Sequence, residues 1–131
     1  MQNKKQIIAT DRAPAAIGPY AQAIQAGPFI YTSGQLPLDP DNGQMPAGVT
    51  EQTLQSLENV RAILEAAGSS MDRVVKTTVF LQNMEDFAEM NAVYGTFFPE
   101  GDAPARSAVE VARLPKDALI EIEAVALAPE V

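Results

Sequence analysis

The 131-residue chain contains no cysteine, no histidine and no tryptophan, and only nine lysines and arginines. Without cysteine there is no disulfide and no thiolate nucleophile, and the usual zinc and haem ligation needs sulfur or imidazole. Without histidine the chain lacks the one side chain whose unperturbed pKa lies near neutrality, the commonest general acid or base. Catalysis would have to run on carboxylates, arginine, lysine, tyrosine, hydroxyls and backbone dipoles. A carboxylate-only magnesium site stays open, but no acidic cluster points to one. The basic residues are scattered singly apart from Lys4-Lys5, and the net charge is −8. Binding a phosphate backbone draws on clustered cations, so a nucleic-acid partner is not expected. No apolar run approaches the roughly 20 residues of a membrane span. Ile7-Ile8-Ala9 is far too short for a signal-peptide core. No membrane partner is expected, and cytoplasmic residence is.

An apolar content of 47% in 131 residues suits one domain over residues 1–131, large enough to build a core without staples. Residues 5–9 read as a short strand. Residues 13–20 carry two prolines and a glycine, which favours an ordered loop over a helix. Residues 20–26 and 29–33 flank Gly27-Pro28 as a hairpin. Residues 34–48 hold three prolines and three glycines, a loop of a length that is usually functional or flexible. Leu54, Leu57, Val60, Leu64 and Ala67 recur at three- and four-residue spacing and predict a helix, with Gly68 as its left-handed cap. Residues 74–81 are rich in β-branched residues and read as a buried strand. Asn83 and Asp86 signal a helix start. Phe87, Met90, Tyr94 and Phe97 or Phe98 form its apolar face, and Pro99 stops it. Strands at 105–111 and 118–128 follow, joined by a turn at 113–117. The order β-β-β-α-β-α-β-β predicts an α+β fold, a two-layer mixed sheet with both helices on one face.

The last two strands hold the most informative side chains. Alternation points Arg106, Ala108 and Glu110 one way and Ser107, Val109 and Val111 the other. Glu121 and Glu123 share a face with Leu119, Val125 and Leu127. Two carboxylates on an apolar face need solvent, a cation or hydrogen bonds. Arg106 follows Pro104 and is flanked by small residues, so its rigid fork could meet a planar carboxylate ligand. It could instead close an internal salt bridge to Glu110, Glu121 or Glu123. Tyr20 and Ser33 sit beside glycines where backbone could approach a ligand, and either could be an ordinary turn or hairpin residue. Asn91 is a polar residue beside the apolar face of the second helix.

Six ordered segments carry a family resemblance over nearly the whole chain. They are Ala15-Ala16-Ile17-Gly18-Pro19-Tyr20, Thr32-Ser33-Gly34-Gln35, Ser56-Leu57-Glu58-Asn59-Val60, Val75-Lys76-Thr77-Thr78-Val79-Phe80, Pro104-Ala105-Arg106-Ser107-Ala108-Val109-Glu110-Val111 and Ile120-Glu121-Ile122-Glu123-Ala124. The chain resembles the reactive intermediate deaminases, the RidA/YjgF family. The resemblance implies a chorismate-mutase-like homotrimer with ligand clefts between subunits, and hydrolysis of 2-iminobutanoate and 2-iminopropanoate to 2-keto acids and ammonia. It implies that Arg106 pairs with the substrate carboxylate and that Glu121 helps place water. Tyr20, Ser33, Gly34, Asn91 and Ala108 match other cleft positions. Many members carry cysteine where this chain has Ala108, so any role of that thiol is missing here. No cofactor and no metal is implied, because an imine is already electrophilic. The alternatives are a non-catalytic module that binds a small carboxylate as a signal, and an endoribonuclease, a label some members carry.

Overall fold

Residue alternation in the last strand sets the architecture. In the computed structural model, which describes residues 4–130, strand β6 (Ile120–Leu127) buries Ile120, Ile122, Ala124 and Ala126 and leaves Glu121, Glu123, Val125 and Leu127 half-buried. One face therefore packs and the other does not. Residues 1–3 and 131 of the expected domain lie outside the described residues.

The other strands are β1 (Lys5–Ile8), β2 (Ala23–Ala26), β3 (Phe29–Thr32), β4 (Val74–Leu81) and β5 (Ala105–Glu110). They form one sheet in the order β1-β2-β3-β6-β4-β5. All neighbours are antiparallel except β4 and β5, which run parallel. Helices α1 (Val49–Ala66) and α2 (Phe87–Phe97) cover the packed face. This is the expected α+β layer pair. Its core joins Ile30, Val79, Leu81, Ile120 and Ile122 of the sheet to Leu57, Ile63, Leu64 and Met90 of the helices.

Three expectations need correction. Residues 20–22 are not strand. Gly18, at φ 118°, and Pro19 turn the chain, so Tyr20 stands in a loop and β2 begins only at Ala23. Leu54 is 39% exposed instead of facing the core. Its helix turns a polar edge inward in its place. Gln52 Nε2 donates to the Pro46 carbonyl at 2.9 Å, Ser56 Oγ to that of Gln35 at 3.0 Å, and Asn59 Nδ2 to those of Leu36 and Leu38 at 3.1 and 2.9 Å. These bonds satisfy loop carbonyls that would otherwise be buried without donors, and they pin the 34–48 loop to α1. Asn83 caps a 3-10 turn, Met84–Asp86, with its side chain accepting from the Glu85 N–H at 2.9 Å. Helix α2 follows from that turn instead of starting at Asn83. Gly68 does adopt the left-handed conformation after α1, at φ 84°.

Candidate functional site

Arg106 lies on the edge strand β5, directly across from Thr77 of β4. Thr77 is buried beneath the helices, so the arginine side chain shares the helix-covered side of the sheet. There it meets one stripe of α2. Phe87, Asn91 and Tyr94 are spaced i, i+4 and i+7, which brings them to a common face. The guanidinium carbon lies 4.7 Å from the Tyr94 ring centre and 5.3 Å from that of Phe87. Arg106 Nη1 donates to Asn91 Oδ1 at 2.7 Å. An open hollow of about 560 Å³ adjoins it, lined by Asn91, Tyr94, Gly95, Phe98, Pro104 and Arg106 among others.

The internal salt bridge open to Arg106 is not formed. The ion pairs among the described residues are Arg12–Glu65, Arg61–Glu58 and Arg113–Asp117. Glu110 instead accepts the Met84 backbone N–H at 2.8 Å. Ala108, two residues beyond Arg106, is half-buried against the core. Tyr94 is itself held, its hydroxyl 2.6 Å from that of Thr77. Burial raises the Tyr94 pKa, opposed by the Thr77 hydrogen bond and the Arg106 charge. The phenol stays neutral at physiological pH.

The second group of residues gathers elsewhere. Glu121 pairs in register with Phe80, on the sheet face away from the helices. A Cβ on Gly34 would overlap the Glu121 carboxylate, with Cδ 2.9 Å and Cγ 3.1 Å away. Gly34 does not have a positive φ, so here the glycine provides room for the acid and not a special backbone conformation. Burial, and then the charge of Glu123, raise the Glu121 pKa from its ordinary value. Ser33 Oγ donates to the Ala21 carbonyl at 2.6 Å, and its N–H donates to that of Gln22 at 2.9 Å. Tyr20, 53% exposed, shares a hollow of about 320 Å³ with Gly34, Gln35 and Lys116.

Two residues that line the Tyr20 hollow, Gln22 and Lys116, escaped the sequence reading. Gln22 is 4% exposed, and its Nε2 donates to the carbonyls of Thr10, Ala13 and Pro14. It thereby sets the path of the loop that presents Tyr20. Its signal was a carboxamide beside a proline-bearing loop, whose carbonyls need outside donors. Lys116 and Asp117 both take left-handed φ values, 58° and 56°, a conformation non-glycine residues seldom hold. That turn brings Lys116 to the Tyr20 hollow.

Arg106 and Glu121 do not meet within one chain. Arg106 is opposite Thr77, and Thr77 is opposite Ala124. Two strand spacings and three residues along β6 therefore separate the pair, about 14 Å between Cα atoms. They also face opposite sides of the sheet. Asn91 joins Arg106; Gly34 joins Glu121, with Ser33 and Tyr20 nearby.

The chain matches the Endoribonuclease L-PSP family model over residues 10–128. It is 58% identical over 122 residues to the 2-iminobutanoate/2-iminopropanoate deaminase of Escherichia coli K12, spanning 92% of this chain and 95% of that one. A RutC family protein of Pyrococcus horikoshii is 57% identical over 123 residues, spanning 93% and 97%. Among solved structures, the YjgF gene product of E. coli superposes with a TM-score of 0.89 at 57% identity, covering 93% of this chain and 98% of that one. E. coli TdcF with bound serine gives 0.89 at 52% identity, covering 95% and 99%. On a match of this extent, the chain belongs to the Endoribonuclease L-PSP family, the RidA/YjgF proteins.

Proposed function

We propose that the protein hydrolyses 2-iminobutanoate and 2-iminopropanoate to the 2-keto acids and ammonia, in clefts between the subunits of a cytoplasmic homotrimer. Disposal of reactive imines, a form of metabolite damage control, is the corresponding cellular role. The observation that carries this reading is the state of Arg106. Its guanidinium lies over the Phe87 and Tyr94 rings, yet its side-chain partner is a neutral amide, so its charge is available to an incoming carboxylate. The name of the E. coli relative and the serine bound to TdcF, itself a small carboxylate, agree with such a ligand. The net charge of −8 and the absence of histidine weigh against the ribonuclease reading.

A cleft shared by two chains reconciles the two separated groups. One chain contributes Arg106 and Asn91, and its neighbour contributes Glu121, Gly34, Ser33 and Tyr20. The uncovered sheet face supports association. Ile7, Ile24, Tyr31 and Val125 form one row across four strands by register, with Ile7 70% and Tyr31 46% exposed. A contiguous apolar face of this kind marks an interaction surface.

The reaction is R–C(=NH)–COO⁻ + H₂O → R–CO–COO⁻ + NH₃. Arg106 and the Ala108 N–H hold the carboxylate. Water placed by Glu121 and the Gly34 carbonyl attacks the imine carbon, giving a carbinolamine. Glu121 takes a proton from the water and delivers it to the imine nitrogen; it then passes the carbinolamine hydroxyl proton to the same nitrogen, and the C–N bond breaks as the carbonyl forms and ammonia leaves. A carboxyl group with a raised pKa exchanges protons more readily near neutrality. Most of the acceleration comes from orienting an already electrophilic carbon. Generating 2-iminobutanoate in situ and following keto-acid release tests the reading. Arg106→Ala should abolish the acceleration; an unchanged rate would overturn it.

A further inference from the structure

We infer that Tyr94, anchored by Thr77, is a positioning residue that presents Arg106 to the substrate carboxylate with its hydrogen-bonding edge free. This inference rests on the proposed function and deepens it.

An arginine on an edge strand would ordinarily sample many rotamers, and ordering it on ligand binding would weaken affinity. Here the guanidinium carbon sits over the Tyr94 ring, 4.7 Å from its centre. A ring face attracts a cation without using any of its N–H groups. Of the five guanidinium donors, one is committed to Asn91. The remaining edge can still grip a carboxylate bidentately. A carboxylate in place of the ring would orient the arginine but neutralise it.

Tyr94 is in turn fixed from the strand that carries Arg106's register partner. Thr77 is opposite Arg106 in the β4–β5 ladder, and its hydroxyl lies 2.6 Å from that of Tyr94. Thr77 is 1% exposed and Tyr94 5% exposed, so neither hydroxyl has ready access to water. The hydrogen bond sets the ring relative to β4, and the ring sets the guanidinium relative to β5. Phe87 adds a second aromatic contact at 5.3 Å, but it has no polar tether.

Because Arg106 holds the carboxylate in substrate and transition state alike, losing its orientation should raise KM more than it lowers kcat. Tyr94→Leu should raise KM for 2-iminobutanoate about tenfold, with kcat within about twofold. Tyr94→Phe, which restores the ring without the tether, should bring KM back to within about threefold of wild type. Thr77→Val should match Tyr94→Phe, and the double variant should be no worse than either alone, since all three remove the same bond. These small changes conserve volume, so they carry the test even if Tyr94→Leu fails to fold. Additive losses, or a fall in kcat at constant KM, would overturn the inference. Arg106→Ala run alongside separates the two levels. If it keeps full activity, the proposed function fails; if it is inactive while the Tyr94 and Thr77 variants keep wild-type KM, only this inference fails.

Discussion

The β5–α2 edge and the loop that meets β6 solve opposite problems with opposite means. At the first, a cation is kept available by surrounding Arg106 with rings and a neutral amide. At the second, an acid is kept protonatable by burying Glu121 beside Glu123 and against a residue without a side chain. The cation is held by what was added, the acid by what was left out. A chain without histidine thereby obtains a fixed positive charge and a group that exchanges protons nearer neutrality.

The sharpest way to break the first half is Arg106→Lys. An ammonium keeps the charge but not the fork or the flat face, so kcat/KM should fall about 100-fold or more. Retention of activity within a few-fold would mean that charge alone suffices. The matching change in the second half is Gly34→Ala. The added methyl must displace the Glu121 carboxylate, and kcat should fall roughly tenfold or more, a displacement effect on reacting groups, while the melting temperature changes little. An unaffected kcat would remove Glu121 from the water-placing role.

The smallest expected effect concerns pH. Glu123→Gln removes a neighbouring negative charge, so the Glu121 pKa should fall and the acidic limb of the kcat profile should move to lower pH. A limb that stays in place would assign it to another group. Stability follows the same group with a definite sign. The folded state binds the Glu121 proton more tightly than the unfolded chain. Its stabilising contribution is therefore complete below the ordinary glutamate pKa and is lost as pH rises through the raised value. Glu121→Gln should flatten that decline.

Much of the fold was legible because it is local. Alternation in residues 120–127 and 74–81, and the spacing of Phe87, Met90 and Tyr94, each follow from one segment. The inward polar edge of α1 was not legible, since Gln52, Ser56 and Asn59 are buried only because a loop with its own unmet carbonyls lies across them. The strand expected from Tyr20 starts three residues later, at Ala23, because Gly18 and Pro19 turn the chain just before it. Candidate site residues could be named from the sequence, but not how the fold would group them. Whether Arg106 and Glu121 share a face depends on the parity of two successive strand pairings. That parity is set by β4, which neither strand encodes. The Arg106–Asn91 bond is hidden for the same reason, because it needs α2 to cross above β5.

Mixing two inactive variants tests the shared cleft most directly. Arg106→Ala supplies an intact Glu121 side, and Glu121→Ala supplies an intact Arg106 side. Subunits exchanged at equal ratio into closed rings should then complete about one cleft in four. The account predicts recovery of about a quarter of wild-type deaminase activity on 2-iminobutanoate in the mixture, against none in either parent. If verified mixed assemblies stay as inactive as their parents, Arg106 and Glu121 do not act across a subunit boundary.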